Sequence, residues 1–227
     1  MISPHHKRIG EIPTGNSHTK PKPQSPNLVE NLPTKGKPLP PGVRNSALRT
    51  QTNPIIKDEV FIEKYGAETG GAYARFRVKV APGGGVPLHY HHSYAEHFLA
   101  QAGDLSIVVG EETKTLQPGE QASIPIGTKH RFFNASADID VEFVAELRPA
   151  CEGFEKSLHI IYGLARDGEV GLDGMPKGIV AQCLVADMGD MSLVGWTMSM
   201  ARPVLKAVAA YGRWTGEEER LLRKYWY

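Results

Sequence analysis

Short runs of alternating apolar and polar residues, each closed by a turn rich in Gly or Pro, constrain this chain more than any other feature. In residues 73–80, Ala74, Phe76, Val78 and Val80 alternate with Arg75, Arg77 and Lys79, the period of a strand with one packed face. Similar runs occupy residues 96–102, 105–109, 120–124 and 139–147. Between them lie the turn signals Pro82-Gly83-Gly84-Gly85, Ala102-Gly103-Asp104, Gly110-Glu111-Glu112 and Pro118-Gly119. No helical crossover of the length a parallel sheet needs separates these runs. They predict an all-β sandwich or barrel over residues 55–149.

The flanks have other textures. Residues 1–54 hold ten of the seventeen prolines and no aromatic residue, so they bury too little apolar surface to offset ordering entropy and read as a disordered basic tail. His5, His6 and His18 fall in this tail and read as exposed. After Pro149 the period becomes helical: Phe154, Leu158, Ile161 and Ala165 recur at helix spacing, with Gly168 behind them as a stop. A second helix is expected over residues 176–188. Thr215, Glu218 and Leu221-Leu222 have the form of a capping box opening a terminal helix. Residues 191–211 are the most apolar stretch, interrupted by Arg202, Pro203 and Lys206, and are expected to pack on the barrel or on a partner subunit. Residues 150–227 thus form a helical extension.

The net charge of +1 conceals eight Lys/Arg against two Asp/Glu in residues 1–54, and 18 against 23 in the remainder. The tail's cations are scattered and have no aromatic residue beside them for base stacking, which argues against nucleic-acid binding. No run of apolar residues is long enough for an integral membrane span, and MISPHHKRIGEIPTG lacks an apolar core, so a cytoplasmic location is expected. Cys151 and Cys183 form neither a disulfide framework nor a C-x-x-C pair and read as small packed hydrophobes.

The chemistry concentrates in GGGVPLHYHHSYAEHFLAQAG. His89 and His91 stand at i and i+2, on one face of a strand, and Glu96 returns on the next strand after a turn at Ser93-Tyr94. His130, just beyond Pro125-Ile126-Gly127, sits on a strand able to face them. Three imidazoles and a carboxylate suit Fe, Mn, Ni, Cu or Zn better than Mg or Ca. His92 and His97 have the wrong parity for that face, and they and His159 read as structural. Phe98 and Phe132 share strand faces with Glu96 and His130, making them candidates for the wall of a substrate pocket. Glu96 is also a candidate base.

The spacing Gly83, five residues, His89, one, His91, four, Glu96, six, Gly103 resembles the first cupin motif at every fixed position. Gly119, five residues, Pro125-Ile126-Gly127, two, His130, three, Asn134 is similar to the second. The resemblance implies a cupin-type jelly-roll barrel holding a divalent transition metal, Fe first among the candidates, through His89, His91, Glu96 and His130. The segments FEKSLHIIYGLARDG and GMPKG resemble the tail of single-domain cupins, some of which are oxidoreductases of polyketide pathways. The expected function is a metal-dependent, dioxygenase-like oxidoreductase acting on a small oxygenated or aromatic molecule in secondary metabolism, as a homodimer. A non-redox isomerase, cyclase or lyase, and a non-catalytic small-molecule-binding cupin, remain as alternatives, because fold alone names no reaction.

Overall fold

The computed structural model describes residues 38–194 and 202–227. A one-turn helix α1 (Pro41–Arg44) and a 3₁₀ turn (Ser46–Arg49) lead into strands β1 (Thr50–Asn53), β2 (Asp58–Lys64), β3 (Ala74–Val80), β4 (His89–His91) and β5 (Ala95–Ala102). These are followed by β6 (Leu105–Val109), β7 (Glu112–Leu116), β8 (Gln121–Ile124), β9 (His130–Phe133) and β10 (Val141–Arg148). The extension contributes α2 (Glu152–Arg166), α3 (Ile179–Met188), β11 (Met191–Leu193), α4 (Arg202–Trp214) and α5 (Glu217–Tyr225).

Two antiparallel sheets result, ordered β1-β2-β3-β10-β5-β8 and β11-β4-β9-β6-β7. Strand β10 lies between β3 and β5, pairing Ala145 with Phe76 on one side and Phe98 on the other. Alternation places Phe76 and Val78 of β3, Phe98 and Ala100 of β5, and Phe143 and Leu147 of β10 in the core. Phe98, Phe132 and Phe143 join the sheets through edge-to-face contacts, with Phe132 and Phe143 centroids 4.9 Å apart. At the β5–β6 turn, Gly103 has φ +68 and packs where a Cβ would lie 2.7 Å from Asp140 O, so only glycine fits without strain. The fold is the jelly-roll barrel expected, with a helical extension.

The tail expectation is corrected over residues 41–53, which are ordered; residues 1–37 lie outside the described residues. Strand β1 pairs with β2 from Thr50↔Phe61 to Asn53↔Asp58. Its buried positions are the polar Gln51 and Asn53 rather than apolar residues, so hydropathy does not reveal them. Gln51 donates to Leu48 O and accepts from Arg166, while Asn53 Oδ1 accepts from Ile55 N. Arg44 donates to the main-chain oxygens of Trp226 and Tyr227, tying this segment to the end of α5.

The expected first helix is α2, and the second begins at Ile179 rather than 176. Helix α2 lies against the barrel with Phe154 on Phe76 and Tyr94, at centroid distances of 5.6 and 5.9 Å. The capping box does not form. Gly216 occupies the N-cap of α5, Thr215 donates back to carbonyls of α4, and Glu218 pairs with Arg213. Of the apolar stretch 191–211, residues 195–201 lie outside the described residues; its beginning, β11, pairs with β4 beside His89 and His91. Among the described residues no helix is long and apolar enough to cross a membrane.

Candidate metal centre

Strand β4 contributes His89 and His91 from one face, β5 contributes Glu96, and β9 brings His130 directly across from His89. All four are buried, and one donor atom from each lies within 4.8 Å of the others. Two ligands opposite one another on an ion with ~2.1 Å bonds stand about 4.2 Å apart, so small side-chain shifts complete a coordination shell. Ring centroids of His89 and His130 are 4.4 Å apart, and those of His89 and His91 4.9 Å.

The tautomers favour an ion. His89 Nδ1 lies 2.8 Å from Pro87 O, and His130 Nδ1 lies 2.8 Å from Thr128 O. A carbonyl oxygen only accepts, so both Nδ1 atoms carry a proton and both Nε2 atoms are turned to the cluster. Glu96 places Oε1 3.2 Å from His91 Nε2 and Oε2 3.2 Å from His130 Nε2. Neither ring nitrogen of His91 makes a well-formed hydrogen bond, although both are buried. An unsatisfied buried nitrogen costs roughly 1–3 kcal/mol, a penalty that a bound cation at Nε2 relieves. The donor set therefore fits a divalent transition metal.

Burial, with His130 and His91 adjacent, pushes His89 down to about 3, which keeps it a neutral ligand. Burial opposes the charge on Glu96, yet the neighbouring imidazoles of His130 and His91 outweigh it and hold the carboxyl well below its usual range. Burial likewise disfavours a charged His130, and the hydrogen bond to Glu96 reverses that, raising it.

The cluster opens at His89 and Glu96 into a cavity of about 140 Å³. Phe98, Phe132, Phe154, Leu158, Ile161 and Met191 supply much of the wall, and no Lys or Arg among the described residues lines it. The cavity thus brings together Glu96, Phe98 and Phe132, with Phe98 and Phe132 in edge-to-face contact at 6.2 Å. His92 turns away to Ser192 Oγ at 3.0 Å, His97 is near Ser123 Oγ at 2.8 Å on the outer surface, and His159 is buried against Tyr65 Oη at 2.9 Å. The contribution of α2 to the wall was missed: its apolar spacing is visible in sequence, but the surface that it covers is not.

Residues 76–145 match the family model described as the Cupin domain. Mannose-1-phosphate guanylyltransferase ManC of Salmonella typhimurium is 35% identical over 63 residues, 28% of this chain and 13% of that protein. A xanthan biosynthesis protein XanB of Xanthomonas campestris is 38% identical over 63 residues, 26% of this chain and 14% of that protein. The chain therefore spans only a small part of these relatives. Among solved structures, a sugar phosphate isomerase of the cupin superfamily from Silicibacter pomeroyi aligns at TM-score 0.38 and 21% identity, covering 43% of this chain and 62% of that one. The polyketide cyclase RemF of Streptomyces resistomycificus aligns at 0.37 and 19%, covering 40% and 65%. Likenesses of this size carry no statement about activity. The family match spans the strands that bear His89, His91, Glu96 and His130, and over residues 76–145 the chain carries a cupin domain.

Proposed function

We propose that the chain is a metal-dependent, dioxygenase-like oxidoreductase acting on a small, neutral, oxygenated or aromatic molecule, such as a polyketide-type metabolite. The observation that carries this reading is the buried group of three imidazoles and one carboxylate opening into an apolar cavity without a cation in its wall. His89, His91, Glu96 and His130 are the residues to hold the metal. Bound there, Fe, Mn, Ni, Cu or Zn supplies Lewis acidity, and a redox-active ion also supplies electron exchange.

The chain's own contributions follow from the wall. Phe98 and Phe132 offer flat apolar surface to a ring, and α2 keeps bulk water from it. Glu96 holds its charge despite burial, so it is the group placed to take a proton from a substrate hydroxyl brought to the cluster. A phosphate or carboxylate entering the cavity would lose its hydration without meeting a Lys or Arg, which disfavours sugar phosphates. Away from the cluster the polar side chains of the wall are Ser157, Tyr162 and Asp173, and the Tyr162 proton is already given to Asp58.

Elemental analysis of the purified chain, combined with dioxygen uptake against neutral phenols and sugar phosphates, tests the proposal. A redox-active metal with uptake on the phenols is the expected result. Turnover with zinc and without oxygen uptake would replace it with the non-redox reading, and tight binding without turnover would replace it with a binding module.

A further inference from the structure

Helix α2 runs along the cavity, since Phe154, Leu158, Ile161 and Tyr162 on successive turns all line it. Phe154 stands at the metal end, its ring centroid 6.2 Å from that of His91. Tyr162 is eight residues further on, about 12 Å along the helix axis. The sheet shows the same progression. Inward positions lead from Glu96 beside Leu147, through Phe98, Ala145 and Phe76, to Val78 and Val60, and then to Val80 and Asp58. At that remote end Tyr162 Oη donates to Asp58 Oδ2 at 2.5 Å.

Two further polar atoms there have no partner in the structure. Asp58 Oδ1 and Asn53 Nδ2, on residues paired across β1 and β2, are buried without a hydrogen bond. Asp58 is 6% exposed and Asn53 fully buried, so bulk water does not satisfy them. Asp58 and Asn53 stand behind the cavity wall rather than in it, and of these three residues Tyr162 alone lines the cavity, while the wall between Tyr162 and Glu96 is mainly apolar. The tyrosine proton is committed to Asp58, but its oxygen keeps lone pairs and is an acceptor.

We infer that Tyr162 is a specificity-determining residue whose hydroxyl oxygen accepts a hydrogen bond from a substrate hydroxyl. The substrate is then a neutral, elongated, apolar molecule with an oxygen function at each end, one at the His–Glu cluster and a hydroxyl at Tyr162. This inference rests on the reading of the cavity as a substrate pocket. A tyrosine that merely tethers α2 to β2 would impose no such preference.

Calorimetric titration of the full chain with p-phenylphenol, p,p′-dihydroxybiphenyl and the monomethyl ether of the latter tests it. One hydrogen bond is worth about 1 kcal/mol, so the diol should bind about five- to tenfold tighter than p-phenylphenol or the ether. Tyr162→Phe should abolish that advantage and leave p-phenylphenol within about twofold of the wild-type value. The ether comparison needs only the wild-type chain, so it stands even where the variant fails to fold. Equal binding of diol and ether, or an advantage that survives in Tyr162→Phe, overturns the inference and leaves the cavity reading intact. No binding of any probe to the wild-type chain overturns both.

Discussion

At Asp58 two effects oppose each other. Burial raises its carboxyl and the hydrogen bond from Tyr162 lowers it; burial wins, leaving the group at about 7 against an ordinary value of 3.8. Between those values the unfolded chain has released the proton and the folded chain keeps it, so the wild type loses stability as pH rises through this window. Asp58→Asn removes the penalty. The melting midpoints of wild type and variant, measured from pH 4 to 8, should shift in the variant's favour as pH rises, on the order of a few kcal/mol in total. Parallel curves would contradict the assignment. The candidate metal-site residues were legible in sequence because parity on a strand and spacing in the chain both constrain them, and His89, His91, Glu96 and His130 do meet. Asp58 was not legible: in DEVFIEK it reads as the polar start of a strand, and its burial depends on α2, more than ninety residues later.

Elements pack here through small residues. A Cβ on Gly153 would lie 2.0 Å from Met188 O, and one on Gly163 would lie 2.2 Å from the Tyr225 ring, so α2 has a glycine wherever α3 or α5 crosses it. Gly153→Ala must push α3 aside and should cost roughly 1–3 kcal/mol despite alanine's better helix propensity. That corresponds to a midpoint lower by about 2–12 °C in a chain of this size. Gly178→Ala meets nothing within 4 Å and serves as the control, with a change of at most about 1 kcal/mol. Equal midpoints for the two variants in scanning calorimetry would contradict this account of the contact. Apolar periodicity located α2, which buries a stripe, whereas α3 buries the consecutive run Cys183 to Ala186 and shows no such stripe. It failed at β1, where the buried positions Gln51 and Asn53 are polar, and at β11, whose three residues are too short to show a period. The expected capping box failed for a different reason: Arg213 claims Glu218, and Thr215 bonds back into α4.

At the scale of the molecule, the N-terminal segment and the extension close on one another. Arg44 reaches the backbone of Trp226 and Tyr227, Arg166 reaches Gln51, and the ring of Trp226 packs edge-on against Tyr65 and His159. Deleting residues 1–54 should therefore lower the thermal midpoint, since it removes β1 and leaves the edge of β2 open; an unchanged midpoint would show that these contacts add nothing. The strand order was not legible, because β10 between β3 and β5 joins residues far apart in the chain and alternation gives faces but not neighbours.

The central claim is that His89, His91, Glu96 and His130 act together as one metal site. Metal content per chain, measured by elemental analysis on purified wild type and on His130→Ala, tests it most directly. The account predicts about one transition-metal ion per wild-type chain and close to none in a variant that still melts cooperatively. Equal metal content in the two proteins, or a wild type that acquires no metal when supplied with it, would contradict it.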